Sequence, residues 1–148
     1  FSILKTVNGK NNISCSKYLL IFSSSISTLF FILLDVYFTA MALKAAKTGF
    51  QMGAFINLIP LENTGAAFNL LEDARLFLIA FSIFAIIVIV VYLLKNIEKI
   101  STLQIFWTAM LMSGICCILY ERITLGHVRD FFSLNFVNFP VFNISDIF

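Results

Sequence analysis

The sequence predicts an all-α integral membrane protein: a helical bundle with three full transmembrane helices and the start of a fourth, plus a small outer-face segment with room for short strands. Three observations predict it. Of the 148 residues, 60% are hydrophobic and 12% charged, with mean hydropathy +0.97, whereas soluble domains carry about a quarter charged residues. Eighteen Phe and two Pro suit lipid-facing helices better than a linker-rich chain. Three stretches between successive charges reach the length, about 20 apolar residues, that a helix needs to cross hydrocarbon. This composition excludes disorder, and a net charge of +2 is too small to imply nucleic acid as a partner.

The first span covers residues 18–43, between Lys17 and Lys44, and contains one charge, Asp35. No small-residue cleavage site follows it, so it is read as a retained helix rather than a signal peptide. The second, 76–94, between Arg75 and Lys95, is uncharged throughout, as is the third, 100–120, between Lys99 and Glu121. Only helices, with their hydrogen bonds closed internally, let single segments of this kind cross lipid.

After Asp130 the chain reads FFSLNFVNFPVFNISDIF, and Pro140 would suit a helix start, so a partial fourth span is expected from about 141. With Phe as first residue and eight residues after Pro140, the chain is read as a fragment of a single membrane domain, 1–148. Lys5, Lys10, Lys17, Lys95 and Lys99 lie on one side of the membrane, packed into shorter sequence than Lys44, Lys47, Arg75, Arg122 and Arg129 on the other. The positive-inside rule then puts the N-terminus in the cytoplasm and segments 45–74 and 121–140 outside. Lys44 and Lys47 are expected to snorkel to headgroups.

The cysteines give neither a disulfide scaffold nor a metal site. Cys15 lies in a polar stretch, while Cys116 and Cys117 are adjacent in an apolar run, where Cys behaves as a small hydrophobe. With His127 as the single histidine, no zinc cluster is available, and no metal or cofactor is expected.

Ionisable groups in or beside apolar spans are costly and are functional candidates by default. Asp35, Asp130 and Asp146 stand out, with Asn63, Asn143, Glu121, Arg122 and Arg129 able to orient or pair with them. Asn143 and Asp146 share one face if their turn is helical. Two converging aspartates would form an acid–base dyad, because like charges about 3 Å apart cannot both ionise. The plainer alternative is that Asp130 and Asp146 cap helix ends. His127 reads as a solvated loop residue, and Ser113-Gly114 as a small pair permitting close approach.

Three blocks sharpen the choice. NTGAAFN (63–69) resembles the NxGAAF signature of the lipoprotein signal peptidases (signal peptidase II), the bacterial membrane aspartic peptidases. GHVRDFF (126–132) is similar to that family's GxVxDF block, and FPVFNISD (139–146) to its FPxFNxAD block. The resemblance implies four transmembrane helices, no metal, and Asp130 and Asp146 as the catalytic pair. It implies that Asn143 holds the pair or the substrate backbone, and that Asn63 and Gly65 lie near the site on the outer face. Arg122 matches the Arg of GNLxDR, here CILYER (117–122), and Asp35 the Asp of the first-helix motif DQxxK; both would bind substrate or support the site.

The departures are specific. Cys117, Ile118 and Glu121 stand for the Gly, Asn and Asp of GNLxDR, Thr39 for the Lys of DQxxK, and Ser145 for the Ala of FNxAD. The implied function is a membrane-embedded aspartic endopeptidase of the bacterial cell membrane. It would cut before the lipidated Cys of diacylglyceryl-modified prolipoproteins, working as a monomer among membrane lipids. The rival is a truncated, inactive homologue or a non-enzymatic scaffold that binds signal helices; Ile118 and Thr39 favour it. A transporter would need polar residues within the spans, and 76–94 has almost none.

Overall fold

The first apolar run folds as the longest element. In a computed structural model of the chain, α1 spans Ser2–Lys47, with its membrane-length apolar part at Ile21–Ala45. The structure describes residues 2–48, 51–52, 54–65, 71, 74–96 and 99–148, and for 2–18, 20, 46 and 51–52 the backbone alone. The helix therefore begins well before the span. It closes where Thr48 turns back, its N–H and Oγ1 both donating to the Ala45 carbonyl at 3.0 and 2.7 Å.

Two further helices follow. α2 (Arg75–Asn96) is the uncharged run itself, and most of its apolar side chains point outward, as lipid contact requires. α3 (Thr102–Thr124) starts on a capping box: Ser101 Oγ accepts from Gln104 N–H, and Gln104 Oε1 accepts from Ser101 N–H. It ends at Gly126, whose φ of +88° suits glycine. α3 packs against both α1 and α2. Three helices long and apolar enough to cross a membrane are thus present, at Ile21–Ala45, Arg75–Asn96 and Thr102–Thr124.

A small sheet sits at the end of the bundle where α1 and α3 finish. β1 (Gln51–Met52), β2 (Ile56–Asn63) and β3 (Val128–Leu134) form an antiparallel sheet in the order β1-β2-β3. Pairing of β2 with β3 runs from Ile56↔Leu134 to Asn63↔Val128 and breaks between Leu58 and Leu61. Pro60 lies in that break and has no N–H to give the ladder. Fully buried Phe131 packs with Ala42 of α1 and Leu58 of β2, and Ile144 leans on the same cluster. This apolar knot joins helix, sheet and C-terminal segment.

From Pro140 to Asn143 the chain is extended rather than helical, with Phe142 bridging Phe132. The turn starts at Asn143 instead: the Ile147 N–H donates to the Ile144 carbonyl at 3.0 Å. The bridge to β3 takes up the Phe142 C=O, which a helix begun at Pro140 would have used internally, and gives its N–H a partner that the first turn of a helix would lack.

Candidate active site

β3 carries Asp130 to the centre of the site. Asp130 stands opposite Leu61 on β2, so Asn63, two residues on, is its diagonal neighbour. At 2% exposure the carboxylate is buried, and both of its oxygens are satisfied. Asn63 Nδ2 donates to Oδ2 at 2.8 Å, and Asn143 Nδ2 donates to Oδ1 at 2.7 Å. Asn63 is itself oriented, because its Oδ1 accepts from the Gly65 N–H at 3.0 Å. The Gly65 carbonyl in turn accepts from Arg122 Nη2 at 2.8 Å, while the buried Arg122 Nε has no protein partner among the described residues. Residues 66–69 of NTGAAFN lie outside the described residues.

Asp146 stands on the C-terminal turn. Its Oδ2 accepts from the Asn143 N–H at 3.0 Å, and its own N–H donates to Asn143 Oδ1 at 3.1 Å. This is the reciprocal arrangement of a capping box. Here the box closes a turn rather than a helix, and it brings the same Asn143 against Asp130. Asp146 is exposed, and with Asp130, Asn63, Arg122 and Ile118 it lines a cavity of about 430 Å³ walled by Phe139, Pro140 and Phe142. Burial pushes the Asp130 carboxyl up to about 6, the nearby Asp146 carboxylate adds to the rise, and the Asn63 and Asn143 amides oppose it.

The remaining candidates are placed differently. Asp35, buried in α1, does not line the cavity; its Oδ1 accepts from Ser145 Oγ at 2.7 Å. Cys117 is buried among the core residues, as its apolar run implied. Cys116 and Cys117 are unpaired, and the Cys15 side chain lies outside the described residues. His127 is half-buried rather than solvated, with Nδ1 3.8 Å from Glu62. Thr39 is buried, and Lys44 and Lys47 are exposed in the last turn of α1.

Three supporting contacts had no clear sequence signal. Glu121 accepts from the Arg129 backbone N–H at 2.8 Å and from both Nε and Nη2 of its side chain, tying the end of α3 to β3 beside Asp130. Arg75 Nε and Nη2 donate to the Arg122 and Ile123 carbonyls at 2.8 and 2.9 Å, capping α3. Ser145 is the third. Each joins residues from different elements, so no local spacing announces them.

Residues 27–148 match the family described as signal peptidase (SPase) II. The chain belongs to the signal peptidase II family. Among its relatives, the lipoprotein signal peptidase of Enterococcus faecalis is 32% identical over 110 residues, 74% of this chain and 68% of the relative. That of Sulfurihydrogenibium sp. is 35% identical over 124 residues, 78% of this chain and 76% of the relative. That of Ectopseudomonas mendocina is 41% identical over 93 residues, 58% of this chain and 54% of the relative. A bacterial membrane enzyme solved by the in meso method at 2.3 Å superposes with TM-score 0.71 at 24% identity, over 86% of this chain and 80% of its own, and so shares the fold. As a member of the signal peptidase II family, the chain is a multi-pass membrane protein of the peptidase class that removes signal peptides from prolipoproteins.

Proposed function

We propose that the chain is an aspartic endopeptidase whose catalytic pair is Asp130 and Asp146. It releases the signal peptide by cutting before the lipidated Cys of a diacylglyceryl-modified prolipoprotein. The observation that carries this reading is that both carboxylates line one cavity while a single residue, Asn143, donates to each, through its side-chain amide to Asp130 and its backbone N–H to Asp146.

In the reaction, one carboxyl keeps a proton while the other is ionised, and the pair titrates as a unit. The ionised member takes a proton from water as its oxygen bonds to the scissile carbonyl carbon. The protonated member gives its proton to the carbonyl oxygen, which yields a neutral gem-diol. Breaking the C–N bond then returns a proton to the leaving amine. The two amides on Asp130 hold that carboxyl in place through both steps. Arg122 lines the cavity, and Asn63 and Gly65 fix its guanidinium there.

The substrate's signal helix and acyl chains reach the site laterally through the bilayer, beside apolar Phe139, Pro140 and Phe142. With the N-terminus cytoplasmic, the site lies at the outer face, and the protein works as a monomer among membrane lipids. Cleavage of a diacylglyceryl-modified prolipoprotein in detergent micelles tests this, with Asp130→Asn and Asp146→Asn compared to wild type. Loss of cleavage in both variants, with substrate still bound, is expected. Retained cleavage in either removes the dyad. A wild type that binds substrate without cutting it returns the scaffold reading.

A further inference from the structure

We propose that Ser145 is a positioning residue of the catalytic pair: its hydroxyl, bound to Asp35, fixes where the Asp146 carboxylate stands. The inference rests on the dyad reading and goes beyond it, because Ser145 touches neither carboxylate of the pair.

Ser145 Oγ donates to Asp35 Oδ1 at 2.7 Å, with the two residues 8% and 6% exposed. This bond joins the middle of α1 to the turn that bears Asp146, across 110 residues of sequence. Asp35 is itself buried on the long helix α1, so it is a fixed post rather than a mobile one.

The turn needs such a post. The Asn143–Asp146 box is internal to the turn and moves with it. Upstream, the Phe142–Phe132 bridge ties the segment to β3. From Ile144 onward, contacts to the rest of the fold include Ile144 on the apolar knot with Ala42, the Phe148 ring against Phe31 at 5.3 Å, the Ser145 carbonyl over Gly114, and the Ser145 hydroxyl. The apolar contacts are non-directional, and the Gly114 contact limits approach without preventing a slide. The hydroxyl bond fixes both distance and direction. Asp146 is exposed, so side-chain packing does not place it; its backbone neighbours do. A pair that must be held within about 0.5 Å of its working geometry needs that restraint.

Thr and Val at position 145 have nearly the same shape and differ in the hydroxyl, so they isolate the bond. Lipopeptide cleavage in micelles is measured for wild type, Ser145→Ala, Ser145→Thr, Ser145→Val and Asp35→Asn/Ser145→Ala. Ser145→Ala is expected to lower kcat about tenfold, as loss of one well-made bond would, with KM within twofold. Ser145→Thr should exceed Ser145→Val by at least fivefold in kcat, and adding Asp35→Asn to Ser145→Ala should cost less than twofold more. Ser145→Ala within twofold of wild type, or Ser145→Thr equal to Ser145→Val, overturns the inference. Asp130→Asn in the same assay separates the failures: if it still cuts, the dyad reading falls, and if it is dead while Ser145→Ala is fully active, only the Ser145 role falls.

Discussion

The Asn143 N–H donates to Asp146 Oδ2 at 3.0 Å, and the Asp146 N–H donates back to Asn143 Oδ1 at 3.1 Å. Because Asn143 Nδ2 also donates to Asp130 Oδ1, this one residue links the two carboxylates, one through its side chain and one through its backbone. Asn143→Ala removes the Asp130 contact and half of the box at once. A charge-assisted bond and a cap together are worth about 3 kcal/mol, so kcat should fall by roughly two orders of magnitude. Steady-state cleavage with circular dichroism checks this: an inactive variant that keeps its helicity fits, and an active one does not.

Asp130 is pushed up to about 6 from 3.8, first by burial. Folded chains therefore bind its proton more tightly than unfolded ones between those values. The stabilisation is full below about pH 3.8 and is lost as pH rises through about 6. Thermal melts in detergent should show Tm falling from pH 4 to pH 7 in wild type and a flatter profile in Asp130→Asn. Equal slopes in the two proteins would contradict the burial account.

A Cβ on Gly114 would lie 2.5 Å from the Ser145 carbonyl oxygen and 3.2 Å from Phe148 Cβ. The oxygen belongs to backbone and cannot swing aside. Gly114→Ala must therefore push the Asp146 turn off α3, and cleavage should fall at least tenfold with a lower Tm. Gly114→Ser should be at least as damaging, and unchanged cleavage in both would show that the turn is free to shift.

Arg75 caps α3 from outside the cavity, with both donors on terminal carbonyls. Its exposure limits the gain, so Arg75→Gln should cost about 1 kcal/mol of stability and leave kcat within threefold. Chemical denaturation in mixed micelles reads the first quantity and lipopeptide cleavage the second.

Much of the site could be read from short blocks of sequence. Asn63, Asp130, Asn143 and Asp146 stand in motifs whose spacing is local, and the structure gathers all four within one hydrogen-bonded group. Asp35 was legible as a costly intramembrane carboxylate, but its position behind the turn rather than in the cavity was not. VRDFFSL shows no clean apolar alternation, because neighbouring residues Asp130 and Phe131 are both buried, one in a polar group and one in the apolar knot. Strand β3 was therefore invisible to periodicity. The room for short strands in the outer-face segment was legible, but the break in register that accommodates Pro60 was not.

The sequence by itself determined the three membrane-length helices and the chemical identity of the candidate groups. Hydropathy acts over one continuous stretch, and a carboxylate or amide is what it is wherever it sits. Only the tertiary structure decided that the fourth segment first pairs with β3 and then turns at Asn143, that Ser145 reaches Asp35, and that Glu121 clamps Arg129. Those outcomes depend on which buried polar groups find partners across elements. Each unpaired group costs free energy, and the pairing that satisfies them is a property of the assembled fold, not of any local run of residues.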